Sequence, residues 1–318
     1  MARLVLLAAM ALWSALAMAQ SWPSKTVRLI IPYGVGSTPD IVSRLMAPKL
    51  AELWGQPVVV DNVVGANGIL GTDALVKSPK DGHTLAMIAA NHVVTPALYA
   101  KVPFDPVKDI TPVLAVGDVQ FVLLVQPSLP ATNLAELIAL AQAKPGTLTF
   151  GSAGNGSPGH LAGQLLKTMA KIDIVHVPYK AVALALTDTV GGQISMTMSP
   201  TAVGMPLARS GRLRALAVTA ATRSKAAPEV PTMAEAGVPG YALTAWMGLV
   251  GPAGLPREIV NKLAEDFTRV LKMPEIADKL TQQGVDLVNS NPAEFAALIE
   301  SDVAKWGKLA RDAGARLD

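Results

Sequence analysis

Along the chain, short apolar runs of β-forming residues alternate with stretches whose apolar positions recur every three or four residues. VRLIIP from Val27 predicts a strand, PDIVSRLMAPKLAELW a helix, PVVVDN from Pro57 a strand, GTDALVKS a helix and TLAMIAA from Thr84 a third strand. The alternation resumes with FVLLVQ from Phe121, NLAELIALAQA, TLTF, HLAGQLLKTMA, IVHVPY, ALALTDTVGG, ISMTMS from Ile194 and LRALAVTA from Leu213. Two successive α/β sheets, mostly parallel, are expected. After LTAWMGLVGP the pattern changes, because REIVNKLAEDFTRVLK from Arg257 and PAEFAALIESDVAKWGKLARDA from Pro292 predict long amphipathic helices without strands of their own. Their natural place is against the first sheet, so the chain is expected to leave that domain near Val125 and return near Leu249. This gives residues 20–124 with 249–318 as one α/β domain and 125–248 as the other, joined by a hinge crossed twice.

The first 19 residues change the picture in one respect. Arg3, an apolar run from Leu4, and Ala17 and Ala19 flanking Met18 have the form of a leader with an A-x-A cleavage site. The run is shorter than the roughly 20 residues a membrane span needs, so an exported, periplasmic protein is expected. No cysteine is present, which excludes disulfides, thiolate nucleophiles and sulfur metal ligands. A composition of 51% apolar and 16% charged residues is ample for a large core. The formal charge of +3, spread along the chain, offers neither a nucleic-acid stripe nor a polybasic membrane patch.

The most informative feature occurs twice. IPYGVGSTPDIVSR carries Gly34 and Gly36, then Ser37 and Thr38 before Pro39; FGSAGNGSPGHLAG carries Gly154 and Gly156, then Ser157 before Pro158. In each, a strand leads through a glycine-rich loop to a hydroxyl N-cap, a proline and a helix. Glycines let backbone N–H groups turn toward one point, and a helix start adds unpaired donors with partial positive charge. Open α/β sheets bind ligands at the carboxyl ends of their strands, where both loops fall. Two such loops across a hinge would hold a small acid by neutral dipoles, since neither contains Arg or Lys.

Sharper chemistry fits less well. GNGSPG matches a dinucleotide fingerprint, but Asp173 precedes the apolar run IVHV where an acidic residue should follow it. A secreted serine hydrolase using Ser152 or Ser157 with His160 lacks the nucleophile elbow, because Phe150 and Asn155 stand where glycine is required. His83, His92, His160 and His176 lack metal-ligand spacing, and no metal or cofactor is expected. Asp40 reads first as compensation of its helix dipole, and His83 and His176 as structural residues. Tyr33 and Trp246 either line the cleft or cover core, and Ser199 and Thr201 stand where they reach it.

In order along the chain, IPYGVGSTPDIVSRLMAPKL, QPVVVDNVVGANGILGTDAL, FGSAGNGSPGHLAGQLL, HVPYKAVALALTDTVGGQI, RLRALAVTAATRSKAAPEVPTMAEAG and WMGLVGPAGLP resemble the extracytoplasmic solute receptors of tripartite tricarboxylate transporters, the Bug receptors. The resemblance spans nearly the whole chain after the leader. It implies a two-lobed type II periplasmic-binding-protein fold, no enzymatic activity, and capture of a small carboxylate for membrane transporter subunits; a monomer is expected. It nominates Tyr33, Gly36, Ser37 and Thr38 in the first loop, Ser152, Gly154, Asn155, Gly156 and Ser157 in the second, and Asn91 and His92 in a further cleft-facing loop, with Thr201 beside them. The chain departs from the family at Ser37, where many members have a second glycine, at Val63 and Val64 in place of Arg-Pro, and at Ala181 in place of glycine. A sensor without a transport role and a hydrolase remain the alternatives.

Overall fold

The computed structural model describes residues 22–288 and 290–312; the expected leader lies outside them. Two sheets are present. The chain begins with β1 (Val27–Ile31), α1 (Thr38–Trp54), β2 (Val58–Asn62), a single 3₁₀ turn at Ala66–Gly68, α2 (Ile69–Val76), β3 (Thr84–Ala89), α3 (Asn91–Leu98) and β4 (Ile110–Val119). It continues with β5 (Phe121–Val125), α4 (Leu134–Ala143), β6 (Leu148–Ser152), α5 (Pro158–Ala170), β7 (Ile174–Pro178), α6 (Val182–Val190), β8 (Met196–Pro200), α7 (Thr201–Arg209) and β9 (Arg214–Val218). The return consists of β10 (Ala245–Pro252), α8 (Arg257–Leu271), α9 (Pro274–Gln282), β11 (Val285–Leu287) and α10 (Pro292–Asp312).

The first sheet has the order β11-β4-β10-β3-β1-β2 and the second β7-β6-β8-β5-β9. Strand β1 runs parallel to β2 and β3, and β6 parallel to β7 and β8, so the loops that follow them gather at one edge of each sheet. Strands β5 and β10 are buried at every residue, which explains why they read as continuous apolar runs rather than alternating ones.

The crossing points differ from those expected near Val125 and Leu249. Phe121–Val125 pairs with β8 and β9 in the second sheet, and Ala245–Pro252 pairs with β3 and β4 in the first. The chain therefore changes sheet at Gln120 and again at Thr244. A fully buried apolar strand carries no mark of the sheet it joins; only pairing decides it. The C-terminal helices also have a strand of their own, since β11 extends the edge of the first sheet along β4. Three residues are too few to show a period.

Helix α8 packs on α1, and α10 on α3 and β4, as expected for the C-terminal helices; α10 also reaches α5 beneath the second sheet. Its anchor is Trp246 of β10, whose indole N–H donates to Asp302 at 2.7 Å while its ring meets Phe295 edge-on at 5.3 Å. Phe295 lies flat on the sheet because Gly248 has no side chain: a Cβ there would sit 2.2 Å from the ring. Trp246 is thus a core residue. Trp246→Phe is expected to destabilise by about 1–3 kcal/mol, because it strips the buried Asp302 carboxylate of its donor. Thermal denaturation checks this, and a second change, Asp302→Leu, is expected to restore part of the loss.

Candidate ligand-binding site

Both glycine loops are built as the repetition suggests. Ser37 and Ser157 occupy the N-cap positions with nearly identical backbones, φ −66°, ψ 155° and φ −66°, ψ 153°. Gly36 and Gly156 precede them at φ +81° and +74°, left-handed values that favour glycine. Pro39 falls one position deeper in its helix than Pro158, because Ser37 rather than Thr38 is the first cap.

A second likeness is visible only in three dimensions. The Gly36 N–H donates to the Asp40 carboxylate at 2.9 Å, and the Gly156 N–H donates to Nδ1 of His160 at 3.1 Å. In each loop the side chain four residues after the glycine reaches back and clamps its amide. These two amides, expected to face a ligand, are engaged by the protein itself. Sequence reasoning, which took Asp40 as compensation of its helix dipole, missed both clamps; the shared four-residue spacing is the signal that could have found them.

Asp40 is 2% exposed and accepts also from Asn62 Nδ2 at 2.9 Å and Arg44 Nε at 3.0 Å. Burial pushes its carboxyl up, but the donors from Arg44, Gly36 and Asn62 outweigh that and hold it below the usual carboxylate range. The first loop is therefore backed by a neutralised ion pair.

The second loop is supported by an imidazole stack. His160 and His176 lie with ring centroids 4.0 Å apart, and Nε2 of His176 is 2.7 Å from Ser152 Oγ. The Gly156 donor places the proton of a neutral His160 on Nε2, which faces the Gln164 side chain. Burial lowers His160 to about 3, with the neighbouring His176 adding to the effect, and burial lowers His176 to about 4. Ser152 Oγ donates to the Gly154 carbonyl and receives Ser157 Oγ, which in turn accepts the His160 N–H. The hydroxyls of Ser152 and Ser157 are thus consumed inside the loop. Asn155 is exposed.

On the first-sheet side, Tyr33 Oη accepts the Ala89 N–H at 2.9 Å and lies against Asn91; burial of its hydroxyl raises its pKa. Asn91 Nδ2 donates to the carbonyl and to Oδ1 of Asn67. Two nominated residues, His92 and Thr201, are engaged away from the loops. Asn91 and His92 open helix α3 rather than a loop, and the His92 ring is turned inward, stacked on Phe104 with Nε2 at 2.8 Å from the Pro106 carbonyl. Thr201 donates its hydroxyl to the Gln120 carbonyl and so fastens the crossing between the sheets. Ser199 is fully buried and bonds the Pro200 carbonyl. Sequence reasoning passed over Asn62 and Asn67.

The second loop meets the first-sheet side at α3, where a Cβ on Gly156 would lie 2.4 Å from Leu98 Cδ1.

Residues 42–315 match the model of the tripartite tricarboxylate transporter family receptor. The chain belongs to this family. It is 33% identical to BugT of Bordetella pertussis over 301 residues, covering 94% of this chain and 92% of that protein. Among solved structures, it resembles a protein from R. palustris with adipate, with TM-score 0.81 and 36% identity over 93% of this chain and all of that one. It also resembles MatC from Rhodopseudomonas palustris with bound malate, with TM-score 0.77 and 30% identity over 91% of this chain and 99% of that one. The periplasmic binding protein BugD has TM-score 0.77 and 28% identity over 93% of this chain and all of that one. The family is one of solute receptors, and the fold of this receptor is the two-lobed periplasmic-binding-protein fold. Among the described residues, no helix is long and apolar enough to cross a membrane.

Proposed function

We propose that this receptor works in the periplasm, closing on a small organic acid between its two glycine loops and delivering it to a membrane transporter. The observation that carries the reading is the pair of matched loops, each at the carboxyl edge of its own sheet and each held by a side-chain clamp. Relatives solved with adipate and malate support an acid as guest. Closure about Gln120 and Thr244 would bring the loops together, the hinge motion expected of two lobes linked by few crossings. Tyr33, Ser37, Thr38 and Asn91 line one wall, with Gly154, Asn155 and the Gly156 backbone opposite. Ser152 and Ser157 shape the second loop from within.

A hydrolase is disfavoured by the same geometry. The His160 ring faces the Gly156 amide rather than Ser157, and Ser152, which does have an imidazole in reach, is fully buried.

Adding acids to the purified mature protein tests the proposal. A ligand at a hundredfold excess over Kd stabilises by about 2.7 kcal/mol, so a melting-temperature rise of roughly 5–10 °C is expected with at least one small mono-, di- or tricarboxylate. A panel of such acids that leaves the melting temperature unchanged overturns it. Mass spectrometry of the periplasmic fraction is expected to find a chain beginning at Gln20, and size exclusion a monomer.

A further inference from the structure

We infer that Ser37 and Asn67 set which acid the cleft accepts, selecting one with a hydroxyl or oxo oxygen close to its bound carboxylate; this rests on the receptor reading above. The two residues share one property. Ser37 Oγ and Asn67 Nδ2 are buried polar atoms without a hydrogen-bond partner, whereas the corresponding hydroxyl of the second loop, Ser157 Oγ, is fully engaged.

The Ser37 hydroxyl is idle although its backbone matches that of Ser157 within a few degrees, and Ser157 caps its helix while Ser37 does not. Nothing in the backbone prevents the cap, so the hydroxyl is turned away from its own helix. Buried polar atoms ordinarily find partners, and those that lack one in a folded protein point to something that arrives later.

Asn67 stands in a more unusual place. Gly65, Ala66, Asn67 and Gly68 all have positive φ, at 153°, 45°, 53° and 99°. Among the described residues only three that are not glycine do so, and two of them are Ala66 and Asn67. Left-handed backbone at residues other than glycine is held in place by its surroundings and concentrates at functional sites. Here the surroundings are tight: a Cβ on Gly68 would press on the Tyr33 ring at 3.2 Å, and one on Gly71 would lie 2.8 Å from both Pro32 Cα and the Val63 carbonyl. The turn is thereby fixed against Tyr33, in the loop that carries Ser37. Asn91 occupies the carbonyl side of the Asn67 amide at 3.2 Å, which leaves Nδ2 as the free end.

The chemistry of the guest follows. Nδ2 can only donate, so it suits a carboxylate oxygen; Oγ donates one hydrogen and accepts as well, so it suits a hydroxyl or oxo group. An acid lacking that second oxygen leaves the Ser37 hydroxyl buried and unpaired, and sites built to bond a substrate oxygen reject analogues without one strongly.

Matched pairs of acids test this by calorimetry: succinate against malate, and glutarate against 2-oxoglutarate. The wild-type protein is expected to bind the oxygen-bearing member at least about tenfold more tightly. Ser37→Gly is expected to cut that ratio by about fivefold or more, and Asn67→Gly to weaken both members of each pair by about fivefold or more with their ratio kept, both variants retaining native circular dichroism, since glycine suits a φ of 53° and the Ser37 hydroxyl bonds nothing in the fold. Equal affinities within each pair in the wild type, an unchanged ratio in Ser37→Gly, or unchanged affinities in Asn67→Gly overturn the inference. Should adipate bind while all four probes fail, the inference falls and the receptor reading stands; if no acid binds, both fall.

Discussion

Asp40→Ala is expected to lower the melting temperature by roughly 6–12 °C and to weaken acid binding by at least about tenfold. The carboxylate accepts from the Gly36 amide, the Asn62 amide and the Arg44 guanidinium, and it is buried. Alanine removes the partner of the Gly36 amide and one of the two partners of the Asn62 amide in a site partly closed to water, at about 1–3 kcal/mol each, for a total of about 3 kcal/mol. Arg44 is half exposed and turns to solvent. Binding suffers because the Gly36 amide then no longer fixes the first loop, and Asn62, which also donates to the Tyr33 carbonyl, loses its second anchor. Asp40→Asn keeps the shape and one acceptor, so about half the effect is expected. Because the folded pKa of Asp40 lies below its ordinary value, its contribution is complete above pH 3.8 and is lost as pH falls below that. An Asp40→Ala protein that melts within 2 °C of the wild type and binds acids unchanged excludes the clamp.

Acidification is expected to destabilise the protein well above the pH at which carboxylates titrate. His160 and His176 are held neutral in the fold, at about 3 and 4, against 6.5 in an unfolded chain. Between those limits the unfolded state binds more protons, so stability is complete above pH 6.5 and falls as pH drops toward 4. His160, only 3% exposed, contributes about 1.4 kcal/mol per pH unit in that window, or roughly 3–6 °C per unit. Asp118 acts in the opposite sense, since burial raises it to about 6, with Asp286 and Asp302 adding repulsion and Thr244 opposing; its part grows as pH falls from 6 to 3.8. His176→Phe separates the two. The stability difference between wild type and this variant is expected to shrink on going from pH 7 to 4.5, because the variant keeps Asp118 and loses one neutral imidazole. A difference that stays constant with pH shows that His176 titrates normally.

Much of this was legible in the residues alone. The alternation of strands and helices, the two capped glycine loops and the family follow from local pattern, because periodicity, left-handed turns and helix caps depend on neighbours within a few positions. The Gly-to-clamp spacing of four was equally local, and its meaning emerges only when both loops are seen folded. The strand crossings at Gln120 and Thr244 and the short edge strand β11 were not legible, for they are decided by pairing between distant segments.

What the chain determined by itself, then, is that two helix starts rich in free backbone donors stand in two α/β halves. Tertiary structure decided which donors remain free. His92 and Thr201 were drawn away, one into an aromatic stack and the other onto the hinge carbonyl. Asn62, 22 residues from Asp40, and His176, 24 residues from Ser152, were brought in as partners. A hydrogen bond is spent on whichever group arrives within about 3 Å, and which groups arrive is settled by the packing of whole elements, leaving Ser37 and Asn67 with hydrogen bonds still to make.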